Sequence, residues 1–139
     1  DIAYPYLFSY FKGEEWRTQR EVSRLLKRYY TDAPDGIPGN DDTGTMSAWA
    51  VFSMMGLYPD CPGSPYYTLT TPTFDEVTLH LDPRYYPQGD LTISVVRGKG
   101  TGNYIQSMTL GGQPLRSYRI SHAQLISGRR LQMQVGDRK

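Results

Sequence analysis

The sequence has a single cysteine, no long hydrophobic run and no excess of one charge. Cys61 has no second cysteine to pair with, which excludes an intrachain disulfide. No apolar run reaches the roughly 20 residues that a membrane-spanning helix needs. The net charge is +1, so nothing indicates binding to nucleic acid or to an anionic membrane. What remains is a globular chain whose 139 residues suit one compact domain, or two small lobes that share a core.

Several familiar catalytic signatures are also missing. His80 and His122 are the only histidines, and neither has a second histidine at metal-ligand spacing. The chain has no Gly-x-Ser-x-Gly elbow, phosphate loop or dinucleotide fingerprint. Cys61 lies in a turn without an activating His or Lys close in sequence, so we expect an inert thiol.

The first 58 residues have helical patterns. We predict helices over residues 4–11, 14–30 and 45–55, with Gly56 ending the third. The third helix is apolar on nearly all sides, and so short a helical unit cannot easily bury it. We therefore expect a partner subunit or a missing part of the chain to cover it. The start at Asp1, without an initiator Met, favours a processed or truncated product.

Residues 59–139 have the patterns of strands and turns. We predict strands over residues 66–71, 77–81, 91–96, 104–110, 117–120 and 131–135. The pair Gly111-Gly112 is typical of a tight hairpin turn, and Ser121 is suited to cap a single helical turn over residues 121–127. Short strands at this spacing, without long helices between them, predict an antiparallel β-sandwich. The predicted fold class is α+β.

The segment 36–49 is the strongest candidate for a functional site. Its glycines and proline bend the backbone, Asp41 and Asp42 lie in the bend, and the apolar helix follows. The positive end of a helix stabilises carboxylates, so at least one of the two should be ionised, as a general base or cation ligand must be. The alternative is that Asp42 or Thr43 simply caps the helix, and composition does not decide between the two.

Two further patterns have ambiguous interpretations. Five oxygen-bearing residues within the eleven positions 32–42 could contribute to a calcium site completed elsewhere: Asp32, Asp35, Asn40, Asp41 and Asp42. They do not match the EF-hand loop, because a proline replaces a ligand and the closing Glu is absent. Trp16, Tyr6 and Tyr10 could stack against sugar rings, although such aromatic residues more often pack in a core.

Several blocks of the sequence, taken together and in order, resemble glycoside hydrolase family 92. They are Pro5-Tyr6-Leu7, Trp16-Arg17-Thr18-Gln19, the segment 36–49, Gly56-Leu57-Tyr58-Pro59, Cys61-Pro62-Gly63-Ser64-Pro65, Tyr104-Ile105-Gln106-Ser107, Leu110-Gly111-Gly112-Gln113-Pro114-Leu115 and Ile120-Ser121-His122. This family consists of calcium-dependent, inverting, exo-acting α-mannosidases that are common in gut Bacteroidetes. Its enzymes are several times longer than this chain.

The resemblance implies a fold and a division of roles. Residues 1–58 would be the last helices of an (α/α)6 barrel and residues 59–139 a β-rich C-terminal domain. Asp42 or Asp41, with Asp42 preferred, would be the catalytic base, and Trp16 and Asn40 would bind substrate. The general acid and most calcium ligands would lie upstream, so the metal ligands stay unassigned here. The substrates would be α-mannoside glycans, and the enzyme would be periplasmic, at the cell surface or extracellular.

We therefore expect the C-terminal segment of an α-mannosidase that acts on α-1,2 linkages, and we expect this segment to be inactive by itself. Exposed barrel surface is expected to make the segment self-associate. One rival hypothesis is a non-catalytic carbohydrate-binding module that uses the strands and aromatic residues. Another is a purely structural interaction domain, in which neither aspartate takes part in catalysis.

Overall fold

The computed structural model describes residues 2–139 and confirms the α+β class. A 3₁₀ helix over Tyr4–Tyr10 is followed by α1 (Glu15–Tyr29), α2 (Thr45–Met55), β1 (Leu57–Tyr58), β2 (Tyr66–Leu69), β3 (Glu76–Leu79), β4 (Leu91–Arg97), β5 (Tyr104–Leu110), β6 (Gln113–Leu115), β7 (Arg119–Ser121), α3 (His122–Gly128) and β8 (Arg130–Gly136). None of the helices within residues 2–139 combines the length and apolarity that a membrane crossing requires.

The strands form two sheets. β1, β2 and β7 make a three-stranded antiparallel sheet, and the other five strands are ordered β3-β4-β8-β5-β6. Both sheets are antiparallel except where β8 pairs in parallel with β4. The strand patterns predicted only antiparallel pairing, because alternation identifies a buried face but not the neighbouring strand. The helix α3 turns the chain so that β8 enters between β4 and β5.

The two sheets share one hydrophobic core. Leu57, Leu69 and Ile120 of the small sheet pack with alternate residues of the large sheet, such as Leu131 and Met133 of β8. Both of these β8 residues are fully buried. Alternation along the strands thus produces the sandwich-like packing that the sequence predicts.

The 3₁₀ helix, α1 and α2 form a second hydrophobic cluster, which contacts the small sheet at Tyr58 of β1. Tyr6 is fully buried, stacks on Tyr58 of β1 with ring centroids 4.6 Å apart, and contacts the edge of Trp49 of α2. On α1, the side chain of Gln19 is buried and its Oε1 accepts a hydrogen bond of 2.8 Å from the Ile105 N–H of β5. The helical and β-rich parts are therefore joined by a buried polar contact as well as by apolar packing.

The predicted elements agree with the structure to within a few residues at their ends. Gly56 ends α2 in the left-handed conformation at φ +85°, and Gly111 and Gly112 both have positive φ in the β5–β6 turn. The short strands β1 and β6 were not predicted, since two or three residues carry too little pattern.

The helix α2 is less enclosed than its composition suggests. Trp49, Ala50 and Ser53 are buried, but Val51 is 57% exposed. The described chain therefore covers only part of this apolar helix.

Candidate active site

The loop before α2 has an unusual backbone. Asp42, Thr43 and Gly44 are three consecutive residues with positive φ, at 48°, 62° and 88°. Left-handed conformations are unfavourable for residues that carry a Cβ, and for a β-branched residue such as Thr43 in particular. Such conformations cost free energy and persist only where the surrounding structure enforces them. They are concentrated at functional sites.

Asp41 holds the start of α2. Its Oδ1 accepts a hydrogen bond of 2.8 Å from the backbone N–H of Ser47, and its carbonyl oxygen accepts one of 3.1 Å from the Met46 N–H. These N–H groups lie in the first turn of the helix, where no intrahelical acceptor is available. Asp41 thus does the capping that the sequence suggested for Asp42 or Thr43.

Asp42 is placed differently from its neighbour. Its backbone carbonyl accepts bonds from the N–H and hydroxyl of Thr45, at 3.3 and 2.7 Å. Its carboxylate is exposed and has no hydrogen-bond or ion-pair partner within residues 2–139. The hydrogen bonds from Thr45 therefore fix the main chain of Asp42 in its left-handed conformation, while the carboxylate has no partner in the described chain.

Asp42 lies at the wall of a pocket of about 630 Å³. The lining residues are Ile2, Pro5, Leu25, Tyr29, Tyr30, Pro38, Asp42, Thr45, Met46 and Trp49. Among these, Asp42 is the one carboxylate. The rest of the wall is mainly apolar and aromatic, which is typical of a small-molecule site with few, well-placed polar groups.

Two stacked aromatic rings support this wall. Tyr30 and Trp49 are nearly parallel, with centroids 5.5 Å apart. The Trp49 indole N–H donates to the Ile2 carbonyl at 3.0 Å, and the Tyr30 hydroxyl donates to the Met46 carbonyl at 3.4 Å. Burial, together with the negative charge of Asp41, raises the pKa of Tyr30. Sequence reasoning did not assign Tyr30 to the site, although its position at the end of α1, just before the loop, is a usable signal.

The structure does not bring the other predicted site residues into this pocket. The ring of Trp16 contacts the edge of Tyr104 and is surrounded by the cations of Arg17, Arg20 and Lys139, each within 5.2 Å of its centroid. Asn40 is exposed in the loop and does not line the pocket. The roles of Trp16 and Asn40 in substrate binding stay predictions.

The three aromatic residues that could stack on sugars, Trp16, Tyr6 and Tyr10, do not form one surface. Tyr6 has no exposed surface, and its hydroxyl is hydrogen-bonded to Ser53 Oγ at 2.7 Å, so its ring cannot stack on a ligand. Core packing, the alternative interpretation, describes Tyr6 correctly. Tyr10 is 47% exposed and lies beside Arg119.

The described residues do not form a calcium site by themselves. Within residues 2–139 there is no group of three or more His, Cys, Asp or Glu side chains close enough to hold a metal ion. In the loop, one Asp41 oxygen is already engaged by the Ser47 N–H. A complete shell of six to eight oxygen ligands would need groups from elsewhere.

Comparisons with known proteins agree on one family. The family described as "Glycosyl hydrolase family 92 catalytic domain" matches residues 1–137. A solved family 92 inverting mannosidase from Bacteroides thetaiotaomicron is 34% identical, with a TM-score of 0.81 over 96% of this chain and 17% of its own. A second α-mannosidase from the same bacterium, solved with mannoimidazole, has a TM-score of 0.81 at 24% identity and shows the likeness of fold alone.

A curated relative from the fungus Arthroderma benhamiae is named an uncharacterized secreted glycosidase. It is 29% identical over 131 residues, which are 91% of this chain and 16% of the relative. The chain thus spans about a sixth of the length of these proteins. Since the family match extends over nearly every residue, the chain belongs to glycosyl hydrolase family 92.

Proposed function

We propose that this chain is part of an exo-acting α-mannosidase and that Asp42 is its general base. The observation that carries the proposal is that Asp42, whose carboxylate has no hydrogen-bond or ion-pair partner within residues 2–139, lines a pocket with an aromatic wall. Membership of family 92 and the 34% identity to an inverting mannosidase support the reaction class. The proposed reaction is hydrolysis of a terminal α-mannoside with inversion at the anomeric carbon.

Asp42 is a better base than Asp41 on geometric grounds. A general base must accept a proton from water, so it needs an accessible oxygen lone pair. The Asp41 carboxylate accepts the Ser47 N–H and holds the helix start, whereas the Asp42 carboxylate has no partner in the described chain. We therefore assign proton abstraction to Asp42 and positioning of the loop to Asp41.

The general acid comes from another part of the full-length protein in this proposal. Inverting glycosidases use two carboxyl groups about 6.5–9.5 Å apart, with a water between the base and the sugar. Asp42 is the one carboxylate among the described residues that line the pocket. The chain by itself would then hold half of the acid–base pair and would not hydrolyse mannosides.

The remaining features of the proposal concern the whole enzyme. We propose α-mannoside glycans with α-1,2 linkages as substrates and a dependence on calcium whose ligands lie mostly outside this chain. The name of the fungal relative supports an extracellular location, and a periplasmic one is equally compatible with the proposal.

Paired substitutions in the full-length protein test the assignment. Asp42→Asn should lower kcat on α-1,2-mannobiose by about 10²- to 10⁴-fold, the usual contribution of a general base. Asp41→Asn is the matched control, because an Asn oxygen can still accept the Ser47 N–H. It should keep activity within about tenfold of wild type and leave the melting temperature nearly unchanged. A larger loss in Asp41→Asn than in Asp42→Asn would contradict the division of roles.

The same preparation tests the stereochemistry and the metal. Proton NMR of the first product should show β-mannose, which then mutarotates, because inversion converts an α-linkage to a β-product. A calcium chelator should abolish mannose release, and added calcium should restore it. Initial release of α-mannose would contradict inversion, and chelator-resistant turnover would contradict calcium dependence.

A further inference from the structure

The face of the small sheet that turns away from the shared core carries a polar cluster, and none of its residues lines the Asp42 pocket. In the β2–β7 register, Thr68 lies opposite Arg119 and Tyr67 opposite Ile120. Ile120 and Tyr67 face the shared core. Because side chains alternate along a strand, Tyr66, Thr68 and Arg119 share the other face.

Two tyrosine rings flank the guanidinium of Arg119. Its central carbon lies 4.7 Å from the Tyr10 ring centroid and 5.6 Å from that of Tyr66. Both rings remain open to solvent, at 47% and 43% exposure. The Arg119 Nε is shielded from solvent and has no hydrogen-bond partner within residues 2–139, and its guanidinium forms no ion pair there. The Nε is too shielded to meet a ligand, so the donors that the cluster offers are the terminal guanidinium nitrogens, which form no hydrogen bond within residues 2–139.

Asp60 adds an acceptor to the cluster. Its Oδ1 accepts a hydrogen bond of 3.0 Å from the Thr68 hydroxyl. A hydrogen bond with Asp60, together with burial, raises the pKa of Tyr10, so the Tyr10 hydroxyl stays protonated as the donor. Asp60 thus joins the loop after β1 to both the sheet and the 3₁₀ helix.

This combination suits a neutral sugar better than an ion. One carboxylate and one guanidinium cancel in charge, which disfavours a strongly anionic or cationic ligand. Guanidinium donors and carboxylate acceptors together match the mixed hydroxyls of a pyranose. Exposed aromatic faces provide apolar surface for the ring C–H groups.

We propose that Tyr10, Asp60, Tyr66 and Arg119 form a second carbohydrate-binding site, which takes a neutral pyranose unit of a glycan. None of these residues lines the Asp42 pocket. The site binds without reaction, and its function does not depend on the catalytic assignment of Asp42. Such a site would retain a polymeric glycan on the enzyme.

Affinity gel electrophoresis of the full-length protein tests this site. The probes are soluble α-mannan, galactomannan and dextran, each at several concentrations. Arg119→Ala and Tyr66→Ala should each weaken retention by at least one of these polymers about tenfold or more, as loss of charged hydrogen bonds or ring contact predicts. Arg116→Ala is the matched control, because Arg116 is exposed and outside the cluster. It should migrate like wild type.

Melting temperatures and kinetics on a small substrate accompany the retention assay and separate the possible failures. Unchanged retention of both cluster variants by all three polymers overturns the proposal, as does a lower melting temperature without any change in retention. Tyr66→Ala guards against misfolding of Arg119→Ala, because Tyr66 is 43% exposed.

On α-1,2-mannobiose, both variants should keep the wild-type kcat/KM, and a parallel loss would place the cluster in the active site instead. If the wild type bound glycan through Arg119 but did not hydrolyse mannobiose, the proposed enzymatic function would fail and this site would stand.

Discussion

Asp41 and Asp42 are adjacent carboxylates with different surroundings. The first accepts a backbone N–H at the start of α2, and the second lines the pocket in a left-handed conformation, with a carboxylate that has no partner in the described chain. The two side chains differ in their surroundings because the backbone is left-handed at Asp42, with φ at 48°. With this backbone, the side chains of Asp41 and Asp42 do not both bond to the start of α2. Residue type alone does not distinguish which aspartate caps the helix and which is the candidate general base.

Tyr6 provides a residue-scale prediction about the helical core. Its hydroxyl and the Ser53 hydroxyl are both buried and bond to each other at 2.7 Å. Tyr6→Phe leaves Ser53 without this partner and should lower the free energy of unfolding by about 1–3 kcal/mol at pH 7. Urea unfolding measures this loss. Tyr29→Phe, which changes an exposed tyrosine, is the control and should be neutral.

The same substitution has a pH signature. Burial raises the pKa of Tyr6 well above its usual value, so the folded protein keeps a proton that the unfolded chain releases above about pH 10. Stability therefore declines as the pH rises above about 10, and this contribution is complete below that pH. Tyr6→Phe should lose less stability than wild type between pH 9 and about pH 11. An equal or steeper decline in the variant would contradict the linkage.

At the scale of elements, α3 illustrates a local signal that the structure confirms. Ser121 Oγ accepts the Gln124 N–H at 3.2 Å, and the Gln124 side chain accepts the Ser121 N–H at 3.0 Å. This reciprocal capping box fixes the start of the helix that leads the chain from β7 into β8. A serine cap is readable in the sequence because its partner lies only three residues away.

Removal of the cap should destabilise the protein. Ser121→Ala is expected to lower the free energy of unfolding by about 0.5–2 kcal/mol, since the Gln124 N–H loses its acceptor. Chemical denaturation of the two proteins measures the difference. Ser127→Ala alters an exposed serine within the same helix and should have little effect or a slightly stabilising one. Equal losses in both variants would show that the capping box contributes nothing measurable.

At the scale of the whole molecule, the helical half leaves apolar surface uncovered. Val51 of α2 is 57% exposed, on a helix that is apolar on nearly all sides. Apolar helix surface that a protein leaves open to solvent often marks an interface. We propose that the rest of the enzyme covers this surface.

The 139-residue chain expressed by itself should therefore self-associate and be inactive. Sedimentation velocity should detect species larger than 15.8 kDa, and Val51→Lys should shift the distribution towards monomer, because it places a charge on the exposed face. Release of mannose from α-1,2-mannobiose should be absent, because the proposed general acid belongs to another part of the full-length protein. A clean monomer would contradict the first expectation, and robust turnover would contradict the divided active site.

The sequence by itself determined the local structure and the family. Spacing of apolar residues located the three main helices and most strands, and glycines placed the turns at Gly56 and Gly111-Gly112, because these signals act over a few residues. The ordered motifs along the chain identified the family, which the comparisons confirmed. The sequence also singled out the loop that carries Asp41 and Asp42.

Only the tertiary structure decided which residues meet. The parallel pairing of β8 with β4, the division between Asp41 and Asp42, and the distance of Trp16 from the pocket all depend on packing between distant segments. The same holds for Arg119 between Tyr10 and Tyr66, since the Tyr10 and Arg119 residues are far apart in the chain. Periodicity specifies which face of an element is buried, but it contains no information about the partner that covers that face.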